Sequence, residues 1–351
     1  MLIRYIFKRL LLMIPTLFGV MLVAFVITQF VPGGPVEKMI NELKGQNRQG
    51  EASTGVEGLY RGATGLDEQQ LAGLNKLYGF DKPAPERFFL MIQQYIFFDL
   101  GDSYFHHQSV MSLIFSKLPV SMSIGLWTFL LTYLISIPLG IRKALYDGSP
   151  FDVASSTILL IGYATPSFVL GVFLLVLLGG GSFFDVFPLH GLVSDQWETL
   201  SPVAKVLDYF WHLVLPITAL LVTNLALTTL LTKNSFLAEI QQQYVITALA
   251  KGLKPKTILY KHVLRNAIIP IVTSFPVAFV TAFFSGSLLI ETIFSLDGLG
   301  LLAYDSIKQR DYPVVLGTLY IFTLLSLLAK LLTDISYVLI DPRIQYESIN
   351  R

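Results

Sequence analysis

Residues Tyr244 to Pro270 read YVITALAKGLKPKTILYKHVLRNAIIP, a basic, helix-forming stretch set between strongly apolar segments. Just upstream, FLAEIQQQYVITALA from Phe236 to Ala250 places Ile240, Tyr244 and Ala248 along one helical stripe, and Gly252 supplies a stop. Pro255, following Lys254, suits the first turn of a second short helix that runs to about Asn266 with basic residues toward its end. Two short helices joined by a Gly-containing turn form a rigid protrusion able to fill a groove on another protein. An ordinary solvated helical hairpin fits the same residues.

The flanks of this stretch set the fold class. The chain has 351 residues, of which 53% are hydrophobic and only 14% charged, a composition far too apolar for an ordinary soluble domain. Six apolar runs, each about as long as a bilayer-spanning helix, fall at 10–31, 119–141, 153–178, 211–232, 268–290 and 313–340. The fold is therefore expected to be an all-α polytopic membrane protein. The first run follows Arg4, Lys8 and Arg9 and is too long for the apolar core of a cleaved leader, so it reads as a retained anchor.

Basic residues orient the spans. Arg4, Lys8, Arg9, Arg142, Lys143, Lys233, the five lysines and arginines of the opening stretch, Arg343 and Arg351 lie on one side. The short loops at 179–210 and 291–312 hold only Lys205, Lys308 and Arg310. Positive charge gathers in the cytoplasm, which predicts cytoplasmic N- and C-termini. The chain then divides into a cytosolic anchor and first span (1–31), an external insertion (32–118), a core membrane domain (119–340) with a cytosolic loop at 233–267, and a cytosolic tail (341–351). Within the insertion, 41–65 is Gly-rich and polar, Leu66 to Gly79 has helical spacing, and a second amphipathic helix is predicted from Pro85 to Phe98.

Chemistry is scarce. Cysteine is absent, no His-Glu pair begins a zinc-protease motif, and no Gly-Lys dipeptide exists from which to build an ATP-binding P-loop. The pattern points to no enzyme, no metal site and no nucleic-acid partner, and a chain that moves cargo uphill with these residues needs a separate energy source. Lys330 and Asp334 stand four residues apart in the last span and are expected to form a structural pair, with a role in a gate as the other reading. Pro166 and Pro276, inside their spans, are candidate hinges.

Several motifs then fall into a known order. The opening stretch, with Ala248, Ala250, Lys251, Gly252, His262, Leu264, Arg265 and Asn266, resembles the conserved cytoplasmic loop of binding-protein-dependent ABC importer permeases of the dipeptide/oligopeptide branch. RYIFKRLLLMIPTLFGV with PGGP, FDLGDSY at 98–104, SIPLGI at 136–141, ETIFSLDGLG at 291–300, RDYPVV at 310–315 and DPRI at 341–344 fit the same family. The Gly-rich insertion before YGFDKP, together with LTKNSFL at 231–237, resembles a type within that branch that imports peptides and microcin C. Two departures stand out: Ile246 replaces a family Arg or Glu, and Leu249 replaces the second charge of the usual ARAKG.

That resemblance implies a type I ABC importer fold and a bacterial inner-membrane location. It implies a heterodimer with a homologous permease, a cytosolic ABC ATPase that binds ATP and Mg, and a periplasmic solute-binding protein delivering peptide, with no cofactor in this chain. By the same resemblance Tyr244, Ala248, Lys251, Gly252, Leu253 and Lys254 couple to the ATPase. Glu291, Leu296, Asp297, Gly298, Leu299 and Gly300 form a loop that contacts the binding protein. The translocation path is expected among the small hydroxyl residues of the middle spans: Thr165, Ser167, Thr273, Ser274, Ser285 and Ser287, with Ser121 and Ser123 as further candidates. An ion-coupled secondary transporter of small peptides is the alternative, and it calls for intramembrane coupling charges and an internal repeat.

Overall fold

Four stretches of this sequence are apolar and long enough to form single long helices, which carry Pro15, Pro119, Pro138 and Pro216 in their interiors. The computed structural model describes residues 2–30, 82–180, 183–284 and 287–340. In it these stretches become α1 (Leu2–Phe30), α3 (Val110–Leu145), α6 (Pro202–Ile240) and α12 (Tyr312–Ile340), with α2 (Ala84–Ile96) between the first two. At 1.5 Å per residue α3 and α6 run about 54 and 58 Å, so both extend well past a ~30 Å hydrocarbon core. Two further spans are bent pairs. α4 (Pro150–Ala164) and α5 (Ser167–Leu178) meet at 96°, and α8 (Pro255–Ala267) and α9 (Ile269–Phe284) at 49°. Counting each pair once gives six candidate spans among the described residues, the number expected.

The bends correct two of the expected boundaries. The run 153–178 is not one helix: Pro166 has no N–H to continue the ladder and holds Thr165 extended, so the chain turns nearly at right angles there. Within the run 268–290, Ile269–Phe284 forms α9, and Leu288–Ile293, preceded by a non-helical Ser287, forms a separate short helix, α10. Pro276 stays inside α9. The Gly-rich segment, the helix expected from Leu66 to Gly79, Ser285 and the tail from 341 lie outside the described residues. The second amphipathic helix of the insertion is present as α2.

The chain divides into two compact units. The first comprises Met1–Arg9, Lys117–Leu302 and Leu324–Arg351. Its helices approach closely at small residues, as membrane helices without a hydrophobic driving force tend to do. A methyl group on Gly162 of α4 would lie 2.7 Å from Val222, and one on Gly140 of α3 would lie 2.6 Å from Thr232. Ile124, Leu213, Leu215, Ile217, Ile290 and Phe294 form the core where α3, α6 and α10 meet. Asp334 pairs with Arg9 at 3.0 Å, and Arg9 also donates to the Tyr5 hydroxyl, while Lys330 is exposed; the expected pair within one helix is replaced by one between α1 and α12.

The second unit comprises Leu10–Ser116 and Ala303–Thr323. Phe88 and Tyr95, on one side of α2, are buried there, Phe88 against Phe18 and Phe25 and Tyr95 against Tyr320. Two motifs distant in sequence close on each other. Asp311, fully buried in the turn between α11 (Leu299–Gln309) and α12, accepts hydrogen bonds from the Ser103 hydroxyl at 2.5 Å and the Tyr104 amide at 3.1 Å. Ser103 in turn accepts from the amides of Phe105 and His106. Asp311→Ala removes the acceptor of the buried Ser103 hydroxyl and of the part-buried Tyr104 amide and is expected to cost about 3 kcal/mol. Thermal unfolding in detergent should show a clearly lowered midpoint, with Ser103→Ala giving a smaller drop; an unchanged midpoint for Asp311→Ala would rule the latch out.

Candidate functional site

Beyond Ile240 the helix of α6 is broken by Gln241 and an extended Gln242, so the expected continuous helix from Phe236 to Ala250 is two pieces, and α7 (Gln243–Ala250) leaves in a new direction. α7 stops as the sequence predicts. Gly252 takes φ +77°, a conformation costly for a residue with a side chain, and the Leu253 amide reaches back to the Ala248 carbonyl. Lys254 and Pro255 then open α8, which passes through a π-helical stretch at Ile258–Val263 before reaching Ala267.

The short helices have an inner and an outer face. Val245 and Ala248 pack inward with Ile258, Leu259, Val263 and Ala267 onto Phe236 of α6 and Ala144 of α3. Tyr244 is also turned inward, its hydroxyl donating to Glu239 at 2.7 Å; burial, reinforced by that carboxylate, holds its phenol above the usual range. Tyr244 and Ala248 thus support the element from beneath. The outer face carries Ile246, Leu249 and Leu253, exposed at 55%, 51% and 39%, together with exposed Lys251, Gly252 and Lys254. The two positions where charge gives way to Ile246 and Leu249 are therefore the ones that make this face apolar.

Beneath this element lies a charged network that sequence reasoning missed. Lys143, near the end of α3, is fully buried; its ammonium donates to the Asp152 carbonyl and the Ser155 and Ser156 hydroxyls and sits as an ion pair 2.9 Å from Asp152 Oδ1. Lys233 of α6 reaches Asp152 Oδ2 and Asp147, both at 2.7 Å. Two lysines and two aspartates from α3, α6, α4 and the loop before α4 thus neutralise one another. Lys233 stands 81 positions beyond Asp152, the carboxylate it shares with Lys143, and no local pattern links them.

The loop from Glu291 to Gly300 is built around a buried acid. Glu291 has no exposed surface. Its carboxylate accepts from Ser121 at 2.8 Å, from the Leu301 amide at 2.8 Å and from the Ser287 amide at 3.3 Å. Ser121 also accepts from the Leu299 amide. A methyl group on Gly298 would lie 2.5 Å from the Glu291 carboxyl carbon, so this glycine makes room for the acid and does not merely turn the chain. Among the residues expected to meet a binding protein, Glu291, Leu296, Gly298 and Leu299 are buried and Gly300 is half-buried. Asp297 alone of the six is exposed, and it pairs with Lys117.

Between α3, α6 and α9 lies a cavity of about 360 Å³. Ser121, Thr128, Thr132 and Tyr133 of α3, Asn224 and Thr228 of α6, Thr281 of α9, and Ser287 and Glu291 supply its polar wall, with Ile124, Phe129, Leu220 and Leu227 as apolar lining. Of the hydroxyls expected to line a path, Ser287 and Ser121 are here. Thr165 sits at the bend between α4 and α5, with its hydroxyl turned back to the Ile161 carbonyl, and Ser167 opens α5. Thr273, Ser274 and Ser123 likewise donate to carbonyls one turn back in their own helices. A hydroxyl spent in this way cannot be told from a free one by sequence.

Residues 136–346 match the family model described as binding-protein-dependent transport system inner membrane component. The chain is 54% identical to the peptidoglycan transport system permease protein YejB of Agrobacterium fabrum, covering 98% of each chain. It is 50% identical to the inner membrane ABC transporter permease protein YejB of Escherichia coli O157:H7, over 98% of this chain and 99% of the other. It is also 32% identical to the oligopeptide transport system permease protein AppB of Bacillus subtilis, over 97% and 99%.

The charged network yields a direct test. Asp152→Asn strands Lys143 as a buried cation with no carboxylate, at an expected cost of about 3 kcal/mol. Adding Lys143→Met removes the stranded charge and should restore part of the lost thermal stability, a coupling readable in a double-mutant cycle. Strict additivity of the two changes would mean that the pair does not interact.

Proposed function

The chain belongs to the family of binding-protein-dependent transport system inner membrane components, and from that premise we propose that it is one permease subunit of an ATP-driven importer of peptides. It is a membrane transport subunit and not an enzyme. In this reading it pairs with a homologous permease to enclose the translocation path, and a separate ATPase binds ATP and Mg. A periplasmic binding protein delivers the cargo, an oligopeptide, a microcin C-like peptide or a peptide-bearing cell-wall fragment. Both termini and the α7–α8 element face the cytoplasm, where the basic residues gather.

The observation that carries the proposal is the outer face of α7 and the turn after it. Ile246, Leu249 and Leu253 expose apolar surface outside any helix able to cross a membrane, on an element that is braced from within by Tyr244, Val245 and Ala248. Such a face suits a hydrophobic groove on a partner, with Lys251 and Lys254 at its rim. Docking there moves α7 and α8 as a unit. Because their shared core includes Phe236 and Ala144, motion passes into α6 and α3 and shifts the spans between inward- and outward-open states. On the external side the Glu291–Gly300 loop meets the binding protein through its exposed Asp297 tip, with the buried acid holding the loop in shape.

Co-purification of the chain in detergent should bring down a homologous permease and an ATPase, and proteoliposomes containing that complex and the binding protein should take up peptide on addition of ATP. Leu249→Asp, and separately Gly252→Asp, should leave membrane insertion intact while lowering ATP-driven uptake by about tenfold or more, as removing a central apolar contact from an interface does. Tyr244→Phe, which alters only the inner face, should transport nearly normally. Undiminished uptake with Leu249→Asp would refute docking through this face.

A further inference from the structure

We propose that α1 and α12 form a site for the phosphate of an anionic phospholipid, held by Lys330 and Lys8 beside the Arg9–Asp334 pair. The site lies on the rim of the protein and goes beyond the transport reading.

The charges on these two helices do not balance. α1 and α12 carry five charged side chains between them, Arg4, Lys8, Arg9, Lys330 and Asp334, so four cations stand against one carboxylate. That carboxylate is taken: the Arg9 guanidinium lies 3.0 Å from Asp334 Oδ2 and joins α1 to α12 at this level. Arg4, Lys8 and Lys330 are exposed and have no hydrogen-bond or ion-pair partner among the described residues. The residues after Ile340 carry two acidic side chains, Asp341 and Glu347, and two basic ones, Arg343 and Arg351, so they bring no net charge to answer the surplus.

The surroundings are those of a surface that meets acyl chains. Lys330 belongs to the apolar span Tyr312–Ser336 and stands between Leu328 and Leu332, exposed at 38% and 53%, and Phe7, Leu11 and Leu12 beside Lys8 and Arg9 are exposed as well. An ammonium on such a face does not stay among hydrocarbon: its four-carbon stem lies along the helix and carries the charge toward the polar boundary. Lys330 is one turn, ~6 Å, farther into the span than Asp334, so the boundary within its reach is the level of the Arg9–Asp334 pair. With Asp334 held by Arg9, the anions at that level are lipid phosphates. The Arg9 side chain, 43% exposed, keeps N–H groups beyond those spent on Asp334 and the Tyr5 hydroxyl, and a guanidinium flanked by ammonium groups from two spans is a strong phosphate ligand set. A zwitterionic lipid brings its own cation to this place. Phosphatidylglycerol does not, and three unanswered cations favour the lipid with net negative charge.

The test uses the protein purified in an uncharged detergent with its co-purifying subunits, titrated with phosphatidylglycerol or with phosphatidylcholine of the same chains, the retained lipid being counted by native mass spectrometry. Phosphatidylglycerol should be retained in preference. Lys330→Gln should weaken that retention about fivefold, and Lys8→Gln combined with Lys330→Gln about twentyfold, the scale of one basic residue and of two near an anionic lipid. Lys330→Arg should keep it, and Lys308→Gln, the same loss of charge on α11, should change nothing. Equal retention by the wild type and the double variant, or an equal drop with Lys308→Gln, overturns the site in favour of diffuse attraction. Displacement of the lipid by millimolar inorganic phosphate overturns it in favour of a soluble anion. Loss of the partner permease from Lys330→Gln overturns it too, and means that a carboxylate of that subunit covers Lys330.

Discussion

A charge held inside a membrane protein must be answered by another, and the matched set around Lys143 is where this chain meets that constraint most fully. A lone buried ammonium is costly in a low-dielectric interior. Here the cost is offset by Asp152 and by the two serines one turn further along α4, while Asp147 answers Lys233, the second lysine on Asp152. The result ties α3, α4 and α6 together beside the point where α6 gives way to α7. Ala144 and Phe236, which form the floor under α7 and α8, lie one and three residues along the chain from Lys143 and Lys233. The foundation of the protruding element and the ion network are therefore one piece of structure, and a force on the outer face of α7 meets a base that is already locked.

Sequence periodicity revealed the long helices, the stop at Gly252 and the start of α8 at Pro255, because each depends on residues within one or two turns. The same local rules place a break at Pro166 but not its angle, since a proline in a span fits a gentle kink as well as the 96° turn found. Pairings across the fold stayed out of reach for a physical reason. Asp334 has Lys330 one turn away and Arg9 over three hundred positions away, and in space Arg9 is the partner. Local spacing ranks such choices wrongly whenever helix rotation turns the near residue outward.

Glu291 makes the same point from the other direction. An acid beside a glycine-rich turn reads as an exposed contact, because charged residues and glycines are both common in surface loops. The glycines are instead the reason the acid can be buried: Gly298 and Gly300 remove the side chains that would occupy its place, and three hydrogen-bond donors replace its water. The motifs at 98–104 and 310–315 are likewise halves of one arrangement, with Asp311 taking up the donors that Ser103 and Tyr104 present. In both cases residues of the motif serve as an internal brace.

These braces also shape the proposed path. A carboxylate whose lone pairs are spent on internal amides presents little attraction to a passing cation, and a hydroxyl turned back to its own helix presents none to a passing carbonyl. Many hydroxyls in the spans are turned back in this way, and Asp334, Lys143 and Lys233 answer charges within the chain itself. What remains at the cavity is a sparse set of uncharged groups, the Asn224 amide oxygen and aromatic faces among them. Groups of that kind recognise what every peptide shares and little of what distinguishes one peptide from another. On the proposed function, discrimination among cargoes then falls to the binding protein that delivers them, and the permease acts by changing the shape of a passage whose chemistry is held nearly constant.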